Sequence, residues 1–279
     1  MNKLKILLTL ALAAASIAGD CAAQAKQSFY TRFRSHNAAL TALQPTWMGP
    51  LIQSDARLSQ ALRISASSSY WSTHTISYGN NHGLSIIALR RFQIDLDPPS
   101  YFRNHSPALK DGFCNAGTQV KFRIASGNAE HGDFALTAIL YRSFTPRSYQ
   151  NDMLTGAYYP KLAAGKAFGR FNVQSTLDGL LPTGKIAEQG RTIDWNMTGQ
   201  AHLAAPLWFD VENNATFNFA GEYDGKTQNF VTPAAFYLVR RKDWDPTHPV
   251  VIFNTGMQIA TSRFHCYNHN LVSEMRIVF

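Results

Sequence analysis

One short segment near the C-terminal end concentrates residues that can bind metals: His265-Cys266-Tyr267-Asn268-His269. On a helix the two histidines would share a face and could hold zinc or copper. The flanking sequence alternates with a period of two, which favours a turn between two strands. We therefore expect a structural role for this segment, and neither a metal nor another cofactor.

Enzyme motifs are missing from the sequence. It contains no Gly-x-Ser-x-Gly nucleophile motif, no His-Glu-x-x-His motif and no phosphate-binding glycine loop. An outer-membrane phospholipase would need a serine and histidine pair near the outer rim, and no such pairing is evident. We expect that the protein is not an enzyme.

Charged and amide side chains form the other chemically capable set, and they lie on the polar side of alternating segments. In a closed barrel this side faces the lumen. There the charges either form an ion-paired network that closes the lumen or line a narrow aqueous channel. We expect a narrow or partly plugged pore. The predicted lumen-facing residues are Arg63, Lys121, Arg123, Gln174, Asp194, Glu212, Glu274 and Arg276.

Runs of 10–15 residues between turn-forming residues predict the strands that hold these side chains. Eleven runs are evident: 57–71, 83–97, 113–125, 133–145, 157–167, 169–182, 191–204, 209–220, 228–241, 249–262 and 270–279. Single-chain bacterial barrels have an even number of strands. We therefore expect twelve, with the missing strand within about residues 44–54, and ten as the alternative.

Apolar and polar residues alternate along these runs, which predicts strands with two different faces. The polar face is rich in Asn, Gln and Thr, whereas soluble sandwiches expose more Lys and Glu. The fold class is therefore all-β, a closed antiparallel transmembrane β-barrel whose apolar face meets lipid. The predicted lipid-facing residues are Trp195, Met197, Phe217, Phe219, Phe253 and Ile259.

The two ends of the sequence carry targeting signals. Lys3 and Lys5 precede a short apolar run at residues 6–18, and a small-x-small site ends at Ala25, which predicts a signal peptide over residues 1–25. Residues 26–55 lack a clean period, and we expect a periplasmic lead-in, a lumen arm or part of the first strand. Residues 56–279 form the predicted barrel. At the other end, Met275, Ile277 and Phe279 resemble the C-terminal assembly signal of outer-membrane barrels.

Composition agrees with a barrel. The mean hydropathy is −0.19, as expected when only alternate residues face lipid. The full chain has a net charge of +8, and removal of Lys3, Lys5 and Asp20 leaves 24 basic and 17 acidic residues, or +7. Because the basic residues are scattered singly, we expect no nucleic-acid partner. Cys114 and Cys266 remain after cleavage, and we expect two separate, half-buried thiols.

Several stretches resemble a known group of proteins. They are residues 169–177 (GRFNVQSTL), 181–184 (LPTG), 224–233 (DGKTQNFVTP), 258–261 (QIAT) and 264–270 (FHCYNHN). These are similar to bacterial outer-membrane transporters labelled as a meta-pathway of phenol degradation. The resemblance spans roughly residues 45–279 and implies a barrel in the outer membrane, with no catalytic residues to transfer.

Two functions are compatible with these observations. The first is a passive outer-membrane channel or transporter for small solutes, with apolar or aromatic ones among the candidates. The second is a barrel that transports nothing and has a structural or surface-binding role. The expected partners are outer-membrane lipids and lipopolysaccharide, the barrel assembly machinery and an unknown small solute.

Overall fold

The computed structural model describes residues 29–70, 74–79, 82–105, 110–145, 155–239 and 249–279. The predicted signal peptide, residues 1–25, lies outside these ranges. The chain divides into two compact units, Met1–His36 and Asn37–Phe279. The boundary falls within helix α1, Phe29–Thr41, whose first turns are the described part of the first unit. The second unit contains the strands.

The described residues contain fifteen strand segments and two short helices. The strands are β1 (Ala61–Tyr70), β2 (His74–Tyr78), β3 (Gly83–Leu89), β4 (Phe92–Asp97), β5 (Tyr101–Asn104), β6 (Gly112–Phe113), β7 (Ala116–Gly127), β8 (Phe134–Phe144), β9 (Ala157–Phe168), β10 (Phe171–Pro182), β11 (Arg191–Ala204), β12 (Leu207–Ala220), β13 (Thr227–Val239), β14 (Val250–Ala260) and β15 (His269–Val278). A 3₁₀ turn covers Ala129–His131, and helix α2 covers Ile186–Gln189.

The sheet closes on itself, because β15 pairs antiparallel with β1 over ten residue pairs, from Ala61 opposite Val278 to Tyr70 opposite His269. Closure leaves the sheet without an edge, so the backbone groups of the wall are paired within it. Three strands of the wall are each built from two segments: β2 with β3, β4 with β5, and β6 with β7. The fifteen segments therefore form twelve wall strands, which confirms the predicted closed antiparallel barrel.

The interrupted strands also correct part of the sequence prediction. Residues 83–97, taken as one strand, form β3 and β4, which are joined by a turn at Arg90 and Arg91. The short segments β2 and β5 complete these two wall strands on the far side of their interruptions. The prediction of a strand within residues 44–54 is wrong, since that range contains no strand in the structure.

Local chemistry explains the interruptions. Gly79 follows β2 with a φ of +89°, a conformation that favours glycine. Its backbone nitrogen donates to the carbonyl oxygen of Ser65 at 2.7 Å. Pro98 and Pro99 separate β4 from β5, and proline has no backbone N–H for a ladder. Both breaks lie just outside the predicted strand 83–97, and the sequence prediction missed the short segments β2 and β5 beyond them.

Burial alternates along the wall strands, with polar residues inside and apolar residues outside. On β10, the polar residues Asn172, Gln174 and Thr176 are buried. Their apolar neighbours Phe171 and Val173 are exposed. A soluble sheet protein shows the reverse arrangement, with its apolar face buried. Such a polar interior inside an apolar outer surface defines a transmembrane β-barrel. Among the described residues, no helix has the length and apolarity required to cross a membrane.

Candidate functional site: a chain segment inside the lumen

The barrel interior is occupied by residues 44–60, here called the lumen segment. It contains neither helix nor strand, so its backbone groups need partners from elsewhere. Side chains on the inward face of the wall supply them, from β4, β7, β8, β10, β12 and β15. Because these strands lie all around the wall, the segment crosses the lumen rather than lining one side of it.

The strongest attachment is a carboxylate held by three consecutive backbone amides. Glu212 on β12 is fully buried. The backbone nitrogens of Leu51 and Ile52 donate to its Oε1 at 2.5 and 3.0 Å, and that of Gln53 donates to its Oε2 at 3.0 Å. Successive N–H groups that converge in this way form a concavity suited to a carboxylate.

Arg276 on β15 holds the preceding residues by their carbonyl groups. Its guanidinium donates to the carbonyl oxygen of Gly49 at 2.7 Å and also to that of Pro50. Its charge is balanced by an ion pair with Glu274, two residues earlier on the same face. A side chain at Gly49 would displace this arrangement, since a Cβ at that position would lie 2.6 Å from both the Arg276 guanidinium and the Asp55 carboxylate.

The opposite side of the lumen segment is held by β7 and β10. Lys121 Nζ donates to the carbonyl oxygen of Asp55 at 3.0 Å, and Thr176 Oγ1 donates to that of Ser54 at 3.1 Å. Asp55 also forms a 2.8 Å ion pair with Arg57 within the segment. Lys121 and Thr176 therefore hold the backbone of the segment and not its side chains.

Apolar contacts supplement the polar ones at two places. Trp47, 2% exposed, packs with Ala56 of the segment against Ile139 of β8. Met48 and Leu51 pack against an apolar part of the wall, which consists of Ala234, Phe236, Ile252 and Val272. The lumen wall is therefore largely polar, with one apolar patch on β13 to β15 that lies beside the polar residues of the same strands.

The beginning of the segment is fixed by Gln44, whose side chain bonds both backbone groups of Leu58. Arg123 on β7 donates to Gln44 Oε1 and to the carbonyl oxygen of Leu40, both at 3.2 Å. Ser126 donates to the carbonyl oxygen of Leu43 at 2.8 Å. The end of helix α1 and the start of the lumen segment are thus bound to the rim of the barrel.

The structure brings most of the predicted lumen residues to the segment. Lys121, Arg123, Gln174, Glu212 and Arg276 contact it directly, and Glu274 acts through Arg276. Two others lie elsewhere on the inward face and are half-buried. Arg63 is opposite Arg276 in the β1–β15 register, and the carboxylate of Asp194 accepts hydrogen bonds from Thr192 and Thr216.

The predicted lipid-facing residues are on the outer surface of the barrel. Their exposed fractions range from 39% to 49%, and they are Trp195, Met197, Phe217, Phe219, Phe253 and Ile259. The three residues of the predicted assembly signal, Met275, Ile277 and Phe279, are all half-buried. The backbone nitrogen of Phe279 donates to the carbonyl oxygen of Gln60 at 3.1 Å.

The sequence analysis missed several lumen residues. Asp210 is fully buried on β12 and accepts a 3.1 Å hydrogen bond from Gln200. It shares the inward face with Glu212, two residues away, and that spacing could have identified it. Gln53, which donates to Thr198 at 2.5 Å, lies in aperiodic sequence that offers no such signal.

The histidine-rich segment belongs to the connection from β14 to β15, with His269 as the first residue of β15, as the sequence predicted. The ring nitrogens of His265 contact the Ser262 carbonyl oxygen and Asn268 Oδ1, at 2.9 and 2.8 Å. Within the described ranges, no group of three His, Cys, Asp or Glu residues is placed to hold a metal ion.

Cys114 and Cys266 are thiols rather than a disulfide. The expectation that each is half-buried is wrong: Cys114 is buried and Cys266 is exposed. Partial burial of the Cys266 sulfur nevertheless raises the pKa of this thiol.

Fold and lumen together define a transmembrane β-barrel with an internal chain segment. No protein-family profile matches this chain, and no curated protein matches it. Among solved structures, the chain is similar to an outer-membrane channel from Pseudomonas putida F1, with 12% identity, a TM-score of 0.49, and coverage of 84% of this chain and 100% of the channel. It is also similar to a porin, with 10% identity, a TM-score of 0.35, and coverage of 82% and 66%. The outer-membrane protein OmpT of Vibrio cholerae gives 8% identity, a TM-score of 0.38, and coverage of 82% and 100%.

Proposed function

We propose that this protein is a channel of the bacterial outer membrane that admits small solutes, and that the lumen segment closes it. One observation carries the proposal. Many inward polar atoms have no hydrogen-bond partner among the described residues, including atoms of Ser65, Ser77, Gln174, Asn214, Thr232 and Asn254. Buried polar groups require partners, so water inside the barrel is the partner that remains. Water along the inward face would give small polar groups a path through the barrel, and this supports passage.

The lengths of the connections support an orientation in the outer membrane. At the end where β1 begins, three of the five connections have two residues each, 90–91, 169–170 and 205–206, while 128–133 and 240–249 have six and ten. At the opposite end, residues 183–190, 221–226 and 261–268 form longer connections. Outer-membrane barrels have short periplasmic turns and longer extracellular loops. The end that carries the start of β1 therefore faces the periplasm.

The wall beneath the lumen segment supports a class of solute. Phe236, Ile252 and Val272 point inward and are covered by Met48 and Leu51. Displacement of the segment would expose this apolar surface beside polar wall residues. Small apolar or aromatic solutes fit such a mixed surface, because the apolar body and a polar substituent would each find a matching side.

A barrel that transports nothing is the second candidate. It is favoured by the number of strands that bind the lumen segment, since a segment fastened on all sides keeps the lumen closed. In that case the segment is a permanent part of the core, and the buried polar wall serves only to hold it.

Single-channel recording in planar bilayers separates the two functions. The parent protein, Glu212→Ala and Asp194→Ala would be refolded and recorded under identical conditions. Glu212 holds three backbone amides of the segment, whereas Asp194 accepts hydrogen bonds from threonines of the wall, so Asp194→Ala is the matched control. We expect larger or more frequent conductance steps in Glu212→Ala alone.

A truncated protein that begins at residue 59 and lacks most of the segment extends the test. We expect it to conduct more than the parent, provided that its mobility on unheated gels shows a folded barrel. Silence from all folded variants would contradict the channel and support the structural alternative.

A further inference from the structure

A pocket of about 270 Å³ lies at the end of the barrel where β1 begins, between two turns of the rim. Arg90 and Arg91, in the turn from β3 to β4, line one side of it. Arg123, near the end of β7, lines the other. The described residues that line this pocket include no aspartate or glutamate. The pocket thus gathers three guanidinium groups without a carboxylate.

The buried arginine is fixed in place but its charge is not balanced. Arg123 is only 4% exposed. Its guanidinium donates to neutral oxygens, namely the carbonyl oxygens of Leu40 and Arg90 and the side-chain oxygen of Gln44. No ion pair of Arg90, Arg91 or Arg123 occurs within the described part of the chain. A buried charge without a counter-charge is unfavourable, and two further guanidinium groups beside it add repulsion.

The rest of the lining is mixed, with polar Ser126, Asn128 and His131 beside apolar Leu43, Ile124 and Ala125. Asn128 Oδ1 lies 2.7 Å from His131 Nδ1, and Asn128 Nδ2 donates to the carbonyl oxygen of Ala42 at 3.2 Å. Ser126 and the backbone of Gly127 complete this side. Guanidinium groups present planar pairs of donors that match the oxygens of a phosphate. Three positive charges also favour a ligand with more than one negative charge.

We propose that this pocket binds a phosphate group. The phosphate belongs either to a free anion or to the headgroup of an anionic phospholipid, and the chemistry of recognition is the same for both. The site is a binding function separate from conduction.

Calorimetric titration of the folded protein in neutral detergent tests the site, with inorganic phosphate as the probe and sodium chloride at matched ionic strength as the reference. We expect saturable binding of one phosphate per chain. The double variant Arg90→Ala/Arg91→Ala should weaken it about tenfold or more, because it removes charge-assisted hydrogen bonds. Both residues are exposed in a turn, so the barrel should fold as in the parent.

Arg170→Ala is the matched control, since Arg170 is an exposed arginine in a two-residue turn at the same end of the barrel. Its phosphate affinity should equal that of the parent. Absence of saturable binding in the parent, or an equal loss in the Arg170 variant, would overturn the proposal and leave only unspecific attraction to a basic rim.

Vesicles distinguish the two sources of phosphate. The same titration would be repeated in phosphatidylcholine vesicles and in vesicles that contain phosphatidylglycerol. Binding of free phosphate in both identifies a soluble anion as the occupant. Loss of free phosphate binding only with phosphatidylglycerol identifies the lipid headgroup, which then already fills the site.

Discussion

The Oε2 atom of Glu212, on the barrel wall, lies 3.0 Å from the backbone nitrogen of Gln53 in the lumen segment. The backbone nitrogens of the two preceding residues bind the other oxygen of the same carboxylate. The wall therefore recognises the segment mainly by its backbone. Such an attachment depends on the path of the chain and not on the side chains of the segment, so one wall residue controls three consecutive amides.

Glu212→Ala should release these amides while the barrel remains folded. Removal of a buried charged acceptor typically costs about 2–5 kcal/mol, so hydrogen exchange of the amides of Leu51, Ile52 and Gln53 should accelerate by at least about tenfold. Glu212→Gln keeps one acceptor oxygen and should have a smaller effect. Amide exchange by mass spectrometry measures both, with Asp194→Ala as the control. Equal exchange in Glu212→Ala and the control would show that this carboxylate does not hold the segment.

Met197→Arg should block assembly of the barrel. Met197 is 39% exposed on the outer surface, and a charge on the lipid face near the middle of the membrane costs about 2–4 kcal/mol. Asp194→Asn, on the inward face of the same strand, should give a folded barrel with altered ion preference. Membrane fractionation and mobility on unheated gels report assembly. Normal assembly of Met197→Arg would contradict the assignment of this face to lipid.

The faces of the strands could be predicted from sequence because alternation directly records which side is polar. Gln174, Glu212 and Arg276 were assigned to the lumen from this pattern, and all three are buried there. The turn at Arg90 and Arg91 escaped detection, since two arginines carry none of the conformational preferences of glycine, proline or asparagine. Two strands were consequently joined into one.

The lumen segment shows a deeper limit of sequence patterns. Its conformation is set by side chains far along the chain, such as Arg276, which binds the carbonyl oxygen of Gly49 across 227 positions of sequence. Aperiodic sequence carries no record of such partners. The sequence shows that the segment is irregular. Its path and its wall contacts can be derived only from the structure of the closed barrel.

Cys114 and Cys266 should react with maleimide at very different rates. Cys266 is exposed, whereas Cys114 is 5% exposed, so the folded protein without residues 1–25 should label rapidly at one thiol and at the second only after unfolding. Because the thiolate is the nucleophile and the pKa of Cys266 is raised by burial, its labelling rate should continue to rise above the pH at which an ordinary thiol reaches its plateau. Cys266→Ser should abolish rapid labelling. Rapid labelling of both thiols in the folded state would contradict the burial of Cys114.

Two tryptophans on opposite sides of the wall offer a direct test of which face meets lipid. Trp195 is 46% exposed on the outer surface of β11, and its indole nitrogen donates to Ser175 Oγ at 3.1 Å. Trp47 is 2% exposed and is enclosed in the lumen by Ala56 and Ile139.

The chain contains five tryptophans. Two variants would be made, one that retains only Trp195 and one that retains only Trp47, with the other four tryptophans replaced by phenylalanine. Both would be reconstituted into vesicles of brominated phospholipid. Bromine in the acyl chains quenches indole groups that contact lipid, so the fluorescence of Trp195 should fall strongly and that of Trp47 should change little. In a barrel of the opposite polarity Trp195 would be shielded, and equal quenching of both residues, or stronger quenching of Trp47, would contradict the assignment of the apolar face to lipid.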